Sequence, residues 1–407
     1  HSGRPNPVFG SAGQFREPPF SELAIGCENC HGPGQAHVLE MQKGSDTEDE
    51  NHSIVNPAKL SPWLADNICM SCHQTGDARI LQPGKNYQDF RPGQPLDNTL
   101  AILMAPPTRE SPPHSDLLQH YFSMMLSKCY QKSQGRLSCI TCHNPHVQPS
   151  GEDAPAYYRG KCLGCHTESS CTVPLAARQE KRVPDDCVGC HMPKRDIAEI
   201  SHASLTNHRI VIDHDQPFPD LTFQLTTPAL PDLIYIDAIP GQQGGAAPLV
   251  TLLQAYGELG VGHPEFLQRY LDVAKQLEAS DPEDMHVLEA LAARSLRQRT
   301  AEGVTDGMQY LSRAIDRGST TAWDFETLGN RFISAHRYAE AVACLHTGIQ
   351  RVPYDPKLYA LLADSYLALK RPHQAFRTVT RALQLFPEID GLRTLLNQAK
   401  EALGKAE

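Results

Sequence analysis

Residues 27–37 read "CENCHGPGQAH". Two cysteines three apart are followed at once by a histidine, and a second histidine closes the stretch at His37. Alone, this fits a disulfide, a zinc knuckle, a redox dithiol or a haem attachment site. Four further copies of Cys-x-x-Cys-His narrow the choice: "CMSCH" (69–73), "CITCH" (139–143), "CLGCH" (162–166) and "CVGCH" (187–191). A disulfide framework has no need of a histidine after every pair. Zinc ribbons pair their Cys-x-x-Cys units, five is an odd number, and the adjacent histidine has no place in a four-cysteine site. A thioredoxin-type dithiol occurs once, in a βαβ context.

Covalent haem c uses all three residues. Two thiols bond the porphyrin and the next imidazole takes the iron. The expectation is therefore five haem c groups. They attach at Cys27 and Cys30, Cys69 and Cys72, Cys139 and Cys142, Cys162 and Cys165, and Cys187 and Cys190. Their proximal iron ligands are His31, His73, His143, His166 and His191.

Composition fits this cofactor load. The chain has 407 residues, 13 cysteines and 19 histidines, with only 7% aromatic residues. Five flat apolar porphyrins would fill an interior that the side chains of a loop-rich segment leave thin. A formal charge of -10 and a pI near 6.0 argue against nucleic acid as partner. No apolar run approaches the length of a membrane span. Haem c is attached outside the cytoplasm, so the protein is expected to be periplasmic or extracellular. The chain opens "HSGRPNPVFG" without an initiator Met, so a leader is expected to have preceded it.

A second strong ligand closes an iron for electron transfer, whereas an open position admits substrate. Nine further histidines precede residue 216, enough for every iron to be bis-histidine. Gly and Pro in "CHGPGQAH" bend the chain so that His37 can reach a neighbouring haem. His146, in "CHNPH", lies too near His143 to cross its own haem and must serve another. His120, His202 and His208 complete the distal candidates, with His1, His114 and His214 in reserve and His52 a bystander.

"GCENCHGPGQAHV", "IVNPAKLSP", "NICMSCHQTG", "FRPGQPL", "LSCITCHNPHVQP" and "DCVGCHMPKRDIAEISHASLTNHRI" resemble a family of exported multihaem c-type cytochromes with tetratricopeptide tails. That family is distantly similar to the tetrahaem cytochromes of nitrogen metabolism. The resemblance covers residues 20–215. It implies distal roles for the histidines of "CHGPG-x-x-H" and "CHNPH", here His37 and His146.

The tail has a different texture. "FETLGNRFISAHRYAEAVACLHTGIQRVP" (325–353) aligns with "YALLADSYLALKRPHQAFRTVTRALQLFP" (359–387), pairing Leu328 with Leu362, Gly329 with Ala363, Ala341 with Ala375 and Pro353 with Pro387. The offset resembles the tetratricopeptide repeat, a helix–turn–helix unit that stacks on its neighbours. Weaker helical pairs are expected over 248–319 and a capping helix in "IDGLRTLLNQAKEAL". The expected fold class is mainly α. A loop-rich pentahaem cytochrome c domain with short helices (1–215) is followed by a Pro-rich linker (216–247) and an α-helical tetratricopeptide-like array (248–407). "HSDLLQHYFSMMLSKCYQ" (114–131) reads as one helix.

Three cysteines lie outside the motifs. Cys129 and Cys171 form a candidate disulfide, since spare thiols in an oxidising compartment tend to pair. Cys344 reads as a small core residue of a repeat helix. The expected function is electron transfer through five haems, an electron carrier rather than an enzyme. The repeat array would dock a redox partner protein or a neighbouring subunit. Assembly into a homo-oligomer or an extracellular filament through the N-terminus and the repeats is part of that expectation. The alternative is a multihaem oxidoreductase acting on a small nitrogen compound.

Overall fold

Each Cys-x-x-Cys-His motif folds as a turn of helix or ends one, placing both thiols and the imidazole on one face. The motifs form or end the helices Cys27–His31, Pro62–His73, Cys139–Cys142, Ala154–Leu163 and Cys187–His191. Polar side chains satisfy backbone N–H groups at the starts of these turns. Gly26 N–H donates to Asn29 Oδ1 (2.7 Å), Ser138 N–H to Thr141 Oγ1 (3.0 Å) and Gly189 N–H to Asp186 Oδ1 (2.9 Å).

The computed structural model describes residues 3–7, 15–44, 53–109, 119–196, 204–223, 233–238 and 247–405. The chain divides into two compact units: Gly26–Thr251, and a second made of His1–Ile25 with Leu252–Glu407. This division differs from the one read from the sequence. Residues 1–25 group with the repeats, and the end of the Pro-rich stretch belongs to the motif-bearing unit. Leu233–Asp237 is buried there, because "LIYI" is apolar and β-branched enough to join a sheet.

That sheet has three antiparallel strands, with Leu100–Met104 in the centre, Ala78–Leu81 on one side and Ile234–Tyr235 on the other. Ala78 pairs with Leu103, Leu81 with Leu100, and Met104 with Ile234. Every residue of the central strand is buried. The surrounding core holds Met70, Leu96, Tyr121, Phe122, Met125 and Ile236. Among the described residues, buried Asp237 beside this core lacks a partner for either carboxylate oxygen, whereas buried Asn67 is hydrogen-bonded. Asn67 donates to the Trp63 carbonyl (2.7 Å) and accepts from Leu96 N–H (2.6 Å), tying the Pro62–His73 helix to the sheet.

The helix expected over 114–131 is two helices in its described part, His120–Met125 and Lys128–Ser133. The break falls at Ser127, whose backbone is extended (φ -77°, ψ 136°). Its hydroxyl bonds residues far along the chain, which fixes the bend.

The second unit carries the repeats. Helices Ala322–Ser334 and Tyr338–Arg351 recur, each displaced by 34 residues, as Pro356–Ala368 and Pro372–Leu385. Leu249–Leu259, Pro264–Ser280, Met285–Arg297 and Ala301–Asp316 precede them and Asp390–Gly404 follows. A Cβ at Gly329 would come within 2.7 Å of Leu345, so the small residue permits the close helix pairing. Equivalent turn residues His336 (φ 56°) and Lys370 (φ 57°) both adopt the left-handed conformation. Cys344 is half-buried against this core, and burial pushes its thiol up to about 12. This array is the tetratricopeptide-like part of the chain. Among the described residues no helix is long and apolar enough to cross a membrane.

Candidate functional site

Among the described residues, three of the five motif histidines stand beside a second histidine. An imidazole–metal bond is about 2 Å long and the ring centre lies roughly 1 Å further out. Two imidazoles sharing one ion therefore have centres about 6 Å apart. The His31 and His146 ring centres are 5.8 Å apart with planes at 13°. Those of His73 and His120 are 5.5 Å apart at 15°, and those of His143 and His208 are 6.1 Å apart at 36°. A further contact, His120 to His208 at 4.1 Å, is too short to admit an ion. It links two of the pairs into the row His73–His120–His208–His143.

Ring orientation follows from hydrogen bonds at Nδ1. His31 Nδ1 bonds the Val55 carbonyl and His191 Nδ1 the Val211 carbonyl, both at 2.7 Å. His208 Nδ1 bonds the Thr206 carbonyl (3.0 Å), and His143 Nδ1 shares a bond with the Tyr158 hydroxyl (3.2 Å). A carbonyl partner fixes the proton on Nδ1 and leaves Nε2 as the lone-pair donor, the usual outer-shell arrangement around a ligating imidazole. Burial, reinforced by the neighbouring imidazoles, pushes His120 down to about 3. Burial and His143 push His208 down to about 4. Both are therefore neutral, the form that binds a metal.

The thiols fit the same group. All 13 cysteines are free, so each motif keeps two thiols and an imidazole on one turn. Spacing, tautomers and protonation thus suit an iron held between paired imidazoles, with a porphyrin bonded to the adjacent thiols. Among the described residues, no three or more His, Cys, Asp or Glu side chains gather into a metal cage.

The other candidates sit elsewhere. His166 is exposed just past the Ala154–Leu163 helix. His37 is half-buried on the Gln35–Gln42 helix, whose approach is fixed by Gly34 N–H donating to Glu28 Oε1 (2.7 Å). His214 turns its Nε2 to the Cys190 carbonyl (3.0 Å). His202, His1, His52 and His114 lie outside the described residues.

The structure does not join Cys129 to Cys171, correcting the expected disulfide. The two thiols have different electrostatic surroundings: Cys129 lies within electrostatic range of Cys142, Cys162 and Cys165, and Cys171 within that of Arg178.

Several positioning residues carry no motif signal. The fully buried Gln74 accepts from Phe122 N–H (3.1 Å), holding the end of the His73 helix against the start of the His120 helix. Arg79 donates to the carbonyls of Gln74 (2.9 Å) and Ser71 (2.7 Å), closing the same helix end with a cation. The Ser127 hydroxyl donates to the His208 carbonyl (3.2 Å) and accepts from Ile210 N–H (2.8 Å). Asp66 accepts from Cys139 N–H (2.8 Å), and burial pushes its carboxyl up to about 6. Arg159 and Arg178 both bridge Glu168 and Asp185, with Arg178 at 3.1 and 2.6 Å. This four-charge lock joins the loop after Cys165–His166 to the residues just before Cys187.

No family model matches the chain, and no curated protein matches it. Among solved structures it is similar to "Crystal structure of MamA protein", at 15% identity over 38% of this chain and 83% of that one, with a TM-score of 0.32. It is also similar to "Crystal structure of APC/C hetero-tetramer Cut9-Hcn1" (18% identity, 37% and 29%, TM-score 0.30). A third is "First TPR of Spaghetti (RPAP3) bound to HSP90 peptide SRMEEVD" (15% identity, 30% and 96%, TM-score 0.27).

Proposed function

We propose that the chain is an exported electron-transfer protein whose motif-bearing unit holds five covalent haem c groups. The observation that carries this is the set of three histidine pairs at 5.5, 5.8 and 6.1 Å, each joining a motif imidazole to a partner distant in sequence. Five Cys-x-x-Cys-His copies support it independently. Bound haem iron supplies reversible one-electron chemistry. The thiols would anchor each group and the motif histidines would ligate its iron. His146, His120 and His208 would supply the second imidazole at the sites of His31, His73 and His143. Two imidazoles per iron would leave no room for substrate, which suits an electron carrier better than a reductase. The Nδ1–carbonyl bonds of His31, His191 and His208 hold those three rings in orientation, which would limit reorganisation on electron transfer. The repeat array serves as the docking surface for a redox partner protein or a second copy.

The test is expression with a haem c maturation system. Denatured protein is expected to exceed the polypeptide mass by five haem groups, and the native ferric protein to be predominantly low-spin. A fully matured protein carrying fewer covalent haems, or none, would overturn this function.

A further inference from the structure

Sites I to V are the motifs ending at His31, His73, His143, His166 and His191. Helix contacts run between consecutive numbers from II to V. At II and III the Pro62–His73 helix packs on the Cys139–Cys142 helix. At III and IV the Cys139–Cys142 helix packs on Ala154–Leu163. At IV and V, Ala154–Leu163 packs on Cys187–His191.

On the basis of the haem reading above, we propose that sites II to V form one linear array in chain order, II–III–IV–V, with II and III as its most tightly joined pair. Motif thiols mark the porphyrin edges they would bond. Packing of consecutive motif helices on one another therefore brings consecutive edges together. The II–III junction has a second connection, because the partner rings His120 and His208 touch at 4.1 Å. Asp66 of the site II helix also holds the first N–H of site III at 2.8 Å. His146 brings the loop after site III back to His31, so that loop completes site I outside the II–V sequence. The Arg159–Arg178–Glu168–Asp185 lock fixes the spacing of IV and V.

The experiment locates the five irons of the mature protein, by diffraction at the iron absorption edge or in a cryo-EM map, and assigns each to its motif. The expected nearest-neighbour links among sites II to V are II–III, III–IV and IV–V. An iron of these four whose nearest neighbours all come from non-consecutive motifs overturns the array. A second measurement uses His208→Met in the ferric protein. Its electron paramagnetic resonance spectrum is expected to change at site III and, through the ring contact, at site II, with the site V signal unmoved. A change confined to site III overturns the pairing of II with III. The haem mass of the same samples separates the two levels. Fewer than five haems defeats the haem reading itself, whereas five haems in another order defeats only the array.

Discussion

The imidazoles of His120 and His208 stand 4.1 Å apart although each faces a different motif histidine. The Ser127 hydroxyl maintains this contact, because it bonds the His208 carbonyl and Ile210 N–H from the break between the helices that follow His120. Ser127→Ala removes both bonds and leaves a backbone N–H without its acceptor, at a cost of about 1–3 kcal/mol. The expected result is a lower melting temperature and a high-spin component from the His143 site. An unchanged spin state in a folded variant would show that Ser127 is not a positioning residue.

His146 is the second imidazole of the His31 site and lies on an exposed turn, so its removal should leave the fold intact. His146→Ala is expected to turn about one fifth of the iron high-spin and to create a carbon monoxide site at that iron. Magnetic spectroscopy and difference absorption spectra check this. Carbon monoxide binding no greater than in the parent protein would contradict the pairing.

The repeat unit contains a buried acid whose proton matters. Burial and the nearby Glu289 carboxylate push Asp324 up to about 8 from 3.8, while Ser319 donates to it at 2.6 Å. The folded state therefore holds this proton more tightly than the unfolded chain. Its stabilising contribution is complete below about pH 4 and is lost as pH rises through about 8. Asp324→Asn removes the titration. Thermal melts should show the variant gaining on the parent protein between pH 5 and pH 8.5, and a difference that stays flat with pH would refute the assignment.

His336 and Lys370 occupy the same turn position of successive repeats with φ near 56° and 57°. An L-residue there costs about 1–2 kcal/mol, while glycine gives back about 0.5–1 kcal/mol in unfolded-state entropy. His336→Gly and Lys370→Gly should each stabilise the array by about 0.5–1 kcal/mol. Denaturant midpoints measure this, and a decrease for both would show that the side chains make compensating contacts.

What the sequence reveals is what repeats locally. The 34-residue recurrence of helix pairs is written in Leu328/Leu362 and Gly329/Ala363, since each repeat packs chiefly on its neighbours. The thiol and imidazole face of each motif is set by one helical turn. The sheet is a different case. Ile234–Tyr235 pairs with Leu100–Met104 across a long Pro-rich interval, and no local period announces that pairing. Gln74 and Ser127 are ordinary residue types whose roles come from burial among distant partners. The helix read over 114–131 fails at Ser127 for the same reason, because a tertiary hydrogen bond outweighs local periodicity there. The second imidazole of each pair lies where folding, not spacing, delivers it.

The pairs also set a timetable. A chain leaving a ribosome or a translocation pore presents its N-terminus first, so the His31 turn emerges before any other motif. Its partner His146 emerges only after the motif ending at His143. The His73 site has both imidazoles once His120 is out, whereas the His143 site waits for His208. The second motif is therefore the first able to close, the first motif follows, and the third closes last of these. Until then a newly emerged segment holds one-sided sites, and anything that acts on it meets imidazoles not yet opposed. Order of completion in this chain is not order of synthesis.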